Sequence, residues 1–333
     1  MGDGVLNPLL SVRELRVEFA TSGGVVTAVD GASFDVAAGE TVALLGESGS
    51  GKSVTAQALL GIVPKPAGRV TGGSVSYDGR DLLAAGTAKS LRGREIAMVF
   101  QDPLSSLNPV FRVGTQIGEM FRRHRGASRK QARAEALELM KRVGIPAASK
   151  RLDDYPHQFS GGMRQRVMIA MALALAPKLL IADEPTTALD VTVQAQIMDL
   201  LTRLQAEEGM SLVLITHDLG VVADVADRVV LMYAGRVVET GPLREVYEHS
   251  AHPYTSGLMA SVPALDGPRD RLTPIQGAPP DLLALPTGCS FNPRCQYADA
   301  LCTTTQPELA HLPTRPATHQ AACHHPEGAL HAG

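Results

Sequence analysis

The sequence predicts an α/β fold: a mostly parallel sheet flanked by helices, with an antiparallel β-subdomain, a helical stretch and a small Cys/Pro-rich C-terminal extension. Three observations carry this. The apolar run Thr41-Val42-Ala43-Leu44-Leu45 leads into Gly46-Glu47-Ser48-Gly49-Ser50-Gly51-Lys52-Ser53 and then into a helix-capable run to Leu60. Strand, glycine turn and helix N-terminus make one winding unit of such a sheet. Further apolar strands over 95–100, 178–182 and 211–215 alternate with helical stretches, and each ends in polar residues. After about residue 250 the composition shifts: twelve of the 22 prolines lie between Pro253 and Pro326, which excludes long helices there.

Composition is that of a globular chain of 333 residues, 44% hydrophobic and 20% charged. The net charge of −3 gives no global basic field to draw the protein onto nucleic acid. No apolar run reaches the roughly 18 to 20 residues that span a bilayer, and the longest, Val167 to Ala176, stops at Pro177. Met1-Gly2-Asp3-Gly4 lacks a positive n-region, so no signal peptide is expected. The expected place is the cytosol, with any membrane role that of a peripheral partner.

The glycine loop fits the phosphate-binding pattern G-x-x-x-x-G-K-[ST] at every fixed position. Its amides and the positive helix end face an anion together. Lys52 is placed to reach the outer phosphates, and the Ser53 hydroxyl to hold magnesium.

Upstream, Leu15-Arg16-Val17-Glu18-Phe19 reads as a period-2 strand ending before a Thr21-Ser22-Gly23-Gly24 turn. Phe19 is either a core residue or an aromatic that stacks on a base. Residues 68–78 read as a strand pair turning at Gly72-Gly73. The strand from Glu95 to Phe100 ends in Gln101-Asp102-Pro103, and Gln101 is either a loop residue or a ligand-facing one. Residues 104–155 turn helical, and Gln131 to Val143 is closed by Gly144 and Pro146. The basic cluster Arg122, Arg123, Arg125, Arg129, Lys130 and Arg133 reads as a solvated face in preference to a binding surface.

Phe159-Ser160-Gly161-Gly162-Met163-Arg164-Gln165-Arg166 follows, with Ser160 an N-cap for a helix to Ala176. The strand from Lys178 to Ala182 delivers Asp183 and Glu184: Asp183 suits a magnesium shell, and Glu184 can orient and deprotonate a water. Ala188-Leu189-Asp190 opens a helix from Val191 to Gln205. The strand Ser211 to Ile215 ends in Thr216-His217-Asp218, where His217 is either structural or a phosphate-side donor. Arg228–Tyr233 and Arg236–Glu239 form a hairpin through Ala234-Gly235, and Pro242 to Glu248 is a short helix.

In this order, the motifs closely resemble those of the ATPase subunits of ATP-binding-cassette transporters over about residues 10 to 250. The resemblance implies a P-loop NTPase core with a helical subdomain at about 104–176, so the expected domains are 1–250 and 251–333. In the family's terms GESGSGKS (46–53) is the Walker A loop, and with Val54, Gln101 and the adenine-stacking Phe19 it binds ATP. LLIADE (179–184) is Walker B, with Glu184 catalytic and His217 the switch histidine. Magnesium is implied at Ser53, Gln101 and Asp183. Ser160, Gly161, Gly162 and Met163 form the signature that closes on a partner's ATP, and Asp190 belongs to the D-loop. The signature usually reads Leu-Ser-Gly-Gly-Gln; here Phe159 and Met163 replace its outer residues.

Cys289, Cys295, Cys302 and Cys323, spaced C-x₅-C-x₆-C-x₂₀-C, hold all the cysteine in the chain, which points to metal rather than to disulfides in a cytosolic protein. Gly288 to Cys295 and His252-Pro253-Tyr254-Thr255 resemble the oligopeptide and dipeptide importer subfamily. Some of its members carry a [4Fe–4S] cluster here, so the resemblance implies one. Zinc is the second alternative, with His324 and His325 adjoining Cys323, and free thiols are the third. The implied machine imports di- or oligopeptides from the cytoplasmic face of the membrane. It comprises a second homologous ATPase (a heterodimer), two membrane permeases and a substrate-binding protein. The alternatives are an ATPase for nickel or another small solute, and a soluble ATPase of the same superfamily; one cassette without a coiled-coil insertion speaks against the latter.

Overall fold

The structure is a computed structural model that describes residues 7–187, 189–261, 275–313 and 315–326. In chain order the strands are β1 (Leu10–Thr21), β2 (Gly24–Val36), β3 (Thr41–Leu45), β4 (Gly68–Tyr77), β5 (Arg80–Asp81), β6 (Ile96–Val99), β7 (Leu179–Asp183), β8 (Ser211–Thr216), β9 (Arg228–Tyr233), β10 (Arg236–Pro242), β11 (Ala310–His311) and β12 (Gln320–Ala321). The helices are α1 (Lys52–Leu59), α2 (Thr87–Leu91), α3 (Pro103–Ser106), α4 (Val113–Arg125), α5 (Arg129–Arg142), α6 (Ala148–Arg151), α7 (Gly161–Leu173), α8 (Val191–Glu208), α9 (Leu219–Val222), α10 (Leu243–Glu248), α11 (Pro253–Ala260) and α12 (Ala300–Thr304).

The contacts divide the chain into two compact units. The first takes the described parts of Met1–Ala37, Thr41–Ala85 and Thr216–Gly333. Within it, an antiparallel sheet in the order β2-β1-β4-β5 buries Leu10, Val12, Leu15 and Val17 of β1. The step from Val12 to Leu15 breaks the period of two, and the β1–β2 register shifts there. Glu14, at the break, has a left-handed φ of 49°.

That bulge corrects the reading of 68–78 as a hairpin: β4 is one continuous strand against β1. Gly73 is not a turn residue. Its φ is 88°, and a Cβ there would lie 2.4 Å from the Glu14 carbonyl oxygen. The glycine lets β4 pass the bulge.

The unit also holds the strands β3-β9-β10-β12-β11, part of an eight-stranded sheet. β3 is parallel to β9, and the β9–β10 hairpin is antiparallel, turning at Ala234 (φ 49°) and Gly235 (φ 82°) as the sequence predicts. All of β3 is buried, which is why it reads as an unbroken apolar run. β12 pairs with β10, so the residues after 250 extend the sheet. Buried Glu239 of β10 stitches this together. It accepts the amides of Ala251 (2.8 Å) and His252 (2.9 Å), and its carboxylate lies 2.8 Å from His319 Nε2.

The second unit, Ala38–Glu40 with Gly86–Ile215, carries the parallel strands β8-β7-β6 and most of the helices. β7 is wholly buried and ends on Asp183, as expected. α5 starts at Ser128, whose side chain accepts from the Gln131 amide while Gln131 reaches back to the Ser128 amide. α7 ends at Leu173, three residues before the expected Ala176, which has φ 53°. The basic cluster is exposed, and Arg133 makes a two-point pair with Asp153 at 2.9 and 2.7 Å.

Gly73→Ala is expected to lower unfolding stability by about 2 kcal/mol, since both φ and space are wrong for a Cβ. Thermal or denaturant unfolding against wild type measures this.

Candidate functional site

The 46–53 loop joins β3 to α1 in the first unit, as the motif requires. Three of its glycines have positive φ: Gly46 146°, Gly49 81° and Gly51 103°. Gly46 and Gly51 also face close neighbours. A Cβ on Gly46 would lie 2.2 Å from the Met232 carbonyl oxygen, and one on Gly51 would lie 2.5 Å from that of Ala28. The loop is therefore pressed against the β9 end and β2, and its outer rim, Ser48 and Gly49, stays exposed. Buried Lys52 donates to the carbonyl oxygens of Gly46 (2.7 Å) and Glu47 (2.8 Å) and to Ser50 Oγ (3.3 Å). Ser53 and Val54 follow in the first turn of α1, both half-buried.

Two residues outside the recognised nucleotide motifs hold Glu47. Tyr254 Oη accepts its amide at 2.7 Å, and Arg294 pairs with both carboxylate oxygens at 2.7 and 3.0 Å. The signal for both was present in His252-Pro253-Tyr254 and Pro293-Arg294-Cys295, but nothing in their spacing points to residue 47. Phe19 is half-buried, and its ring lies where a Cβ on its β4 partner Gly68 would come within 2.6 Å. His217 is exposed after β8, just before Asp218 caps α9.

In the second unit the structure joins Gln101 to Glu184. Gln101 Nε2 donates to Glu184 Oε2 at 2.8 Å, and the Thr187 hydroxyl donates to the same oxygen at 2.8 Å. Glu184 has a left-handed φ of 45°, and its amide donates to Ile215 O at 2.8 Å. For a residue with a Cβ this conformation costs roughly 1–3 kcal/mol, and such strain gathers where a side chain must be aimed. Asp183, one residue earlier, is buried at the end of β7.

Ser160 caps α7 as predicted, its hydroxyl accepting from the Met163 amide at 3.4 Å. Ser160 and Gly161 are exposed, and Gly162 and Met163 are half-exposed, at the positive end of a 13-residue helix. A Cβ on Gly162 would lie 2.5 Å from Val193 Cγ1, so that glycine also serves the approach of α7 to α8. Asp190 caps α8, accepting from the Val193 amide at 3.0 Å; Ala188 lies outside the described residues.

The four cysteines lie in the first unit, line one small cavity with His324 and His325, and form no disulfide. Burial pushes all four thiols up, and Cys323, with the other three nearby, reaches about 12. Crowded, partly buried thiols of this kind hold little thiolate unless a cation takes their charge, a donor set that suits a metal centre. Asp299, Cys302 and His325 bring donor atoms within 4.8 Å of one another.

Next to them His252 is fully buried, and its Nδ1 accepts the Tyr254 amide at 3.0 Å. Burial holds this imidazole down at about 3. The unfolded chain takes up a proton below about pH 6.5 that the folded chain refuses. Stability is therefore expected to fall by about 2 kcal/mol between pH 7 and pH 5 from this group. His252→Asn, which keeps an acceptor at the cap, is expected to flatten that pH dependence in thermal unfolding.

Residues 29–187 match the family described as ABC transporter, and residues 238–302 match the oligopeptide/dipeptide transporter, C-terminal region. The chain is 51% identical over 304 residues to the dipeptide transport ATP-binding protein DppD of Bacillus subtilis, covering 91% of each. It is 52% identical over 311 residues to the oligopeptide transport ATP-binding protein OppD of Salmonella typhimurium, covering 93% of this chain and 92% of that one. Among solved structures, the dimeric post-hydrolysis state of the ATP-binding cassette MJ0796 bound to ADP and Pi aligns with TM-score 0.63 at 29% identity, over 71% of this chain and 99% of that one. CbiO1 of Clostridium perfringens, part of an ABC transporter complex, aligns with TM-score 0.61 at 31% identity, over 72% and 90%.

Proposed function

Because this chain belongs to the ATP-binding-cassette transporter ATPases and carries the C-terminal region of their oligopeptide/dipeptide branch, we propose that it hydrolyses ATP to drive import of di- or oligopeptides across a membrane. The observation that carries the chemistry is the Gln101–Glu184–Thr187 set at the end of a buried parallel strand. Two donors on one oxygen fix the Glu184 carboxylate, and its strained backbone aims it. In this reading Glu184 takes the proton of the attacking water. Asp183, Ser53 and the amide oxygen of Gln101 hold magnesium, and His217 steadies the reacting phosphate. Lys52 exchanges its loop carbonyls for the outer phosphates, residues 46–54 cradle the anion, and Phe19 stacks on adenine.

Ser160, Gly161, Gly162 and Met163, with Asp190, act on the ATP of a second cassette, so turnover is a property of a dimer. The exposed amide-rich start of α7 supports this, as does the dimeric form of the related MJ0796 cassette. A homologous but different ATPase is the expected second subunit. Two permeases and a substrate-binding protein complete the assembly, and the chain serves it as a peripheral subunit on the cytoplasmic side. Among the described residues no helix is long and apolar enough to cross a membrane. Phe100, Leu104, Val110 and Phe111, exposed within one stretch of the second unit, are the surface offered to a permease. In sequence terms the cassette ends near residue 250 and the extension occupies 251–333.

The four thiols are proposed to hold a [4Fe–4S] cluster of structural role, supported by their lining one cavity together. Zinc is the second reading, favoured by the approach of Asp299, Cys302 and His325.

Glu184→Gln keeps the carboxamide oxygen for Gln101 and Thr187 and loses the base. ATP binding is expected to persist while steady-state phosphate release drops by roughly 10²- to 10⁴-fold; unchanged hydrolysis overturns the assignment. Protein purified anaerobically is expected to contain about four iron and four acid-labile sulfide per chain. Zinc without iron gives the site to the second reading.

A further inference from the structure

We propose that Arg294 and Tyr254 of the C-terminal extension are positioning residues for the phosphate loop, acting through Glu47 to keep the loop receptive to nucleotide. The inference rests on the reading of residues 46–53 as the ATP-phosphate cradle. Glu47 is the one acidic residue of that cradle. A carboxylate beside polyphosphate repels it unless a cation neutralises it. Arg294 does so with a two-point fork at 2.7 and 3.0 Å, and its side chain is only 6% exposed.

A fork of this kind fixes orientation as well as charge. The guanidinium is itself held. Its Nε donates to the Gln276 carbonyl at 2.9 Å, and it lies 5.8 Å from the centres of both the Tyr233 and Phe291 rings. Tyr254 packs on the same two rings, at 4.7 Å from Tyr233 and 5.5 Å from Phe291, while its hydroxyl accepts the Glu47 amide. Tyr233 leads into the β9–β10 turn, where Gly235 donates to Ser50 O at 3.0 Å. The loop is thus held at Glu47 by a residue of the aromatic cluster and at Ser50 by the turn that follows Tyr233. Phe291 and Arg294 fall between Cys289 and Cys295, so the turn that presents two thiols also presents the clamp.

The test uses the full-length chain with Arg294→Gln, Glu47→Gln, the double variant and Lys52→Ala. Thermal unfolding checks that each is folded. Binding of a fluorescent ATP analogue with magnesium and steady-state phosphate release give Kd, KM and kcat. Arg294→Gln is expected to raise Kd and KM about tenfold with kcat within twofold, because it strands the Glu47 charge beside the nucleotide. The double variant is expected to bind better than Arg294→Gln alone, within about threefold of wild type, since no uncompensated carboxylate is left. An Arg294→Gln variant within twofold of wild type, or a double variant no better than it, overturns the clamp. If Arg294→Gln does not fold, Arg294→Lys takes its place: it keeps the charge and loses the fork. It is expected to raise KM about threefold, and no rise overturns the proposal. Binding that survives Lys52→Ala overturns the nucleotide reading of the loop itself, which none of the other outcomes does.

Discussion

The contact on which this architecture turns is the approach of a backbone to a backbone. Residues 46–51 pass so close to the carbonyls of Met232 and Ala28 that two of their positions have no room for a Cβ. A loop pressed this tightly has its shape decided by what stands behind it. Behind it stand the end of β9, the β9–β10 turn, β2 and the aromatic cluster of Tyr233, Tyr254 and Phe291. The glycines permit the geometry, and the neighbours enforce it.

The same economy recurs in the second unit. Gly162 serves both an exposed helix start and the packing of α7 on α8 through Val193. Glu184 accepts a left-handed backbone at the end of a strand with no apolar residue exposed, and its side chain is bound by Gln101 and Thr187. Strain sits where aim matters, and the rigid strand bears it. Gln101 is thereby linked directly to the candidate base, and it follows an exposed apolar residue, Phe100.

The residues after 250 are more than an appendage. Buried Glu239 ties β10 to residues 251, 252 and 319, β12 adds to the sheet edge, and Arg294 reaches the phosphate loop. Breaking such a buried, hydrogen-bonded carboxylate leaves polar groups without partners, which costs more than the pair contributes. The residues after 250 are thus locked to β10 and to the phosphate loop at points whose loss the fold tolerates poorly.

Much of this was legible in the chain alone. The phosphate loop, the strand that delivers Asp183 and Glu184, the Ser160 cap and the Ala234-Gly235 hairpin are local patterns, set by backbone sterics and by the burial of short apolar runs. A few residues suffice to encode each, so sequence determined them. The reading of Gly72-Gly73 as a turn failed because a glycine pair signals permissiveness and not its use; only the bulge at Glu14 on another strand decides that use. Tyr254 and Arg294 stand 207 and 247 residues from Glu47, and no periodicity links positions so distant. What held them together is the stacking of three aromatic rings from three separate segments. That is a tertiary event, and it alone decides which acid an arginine finds.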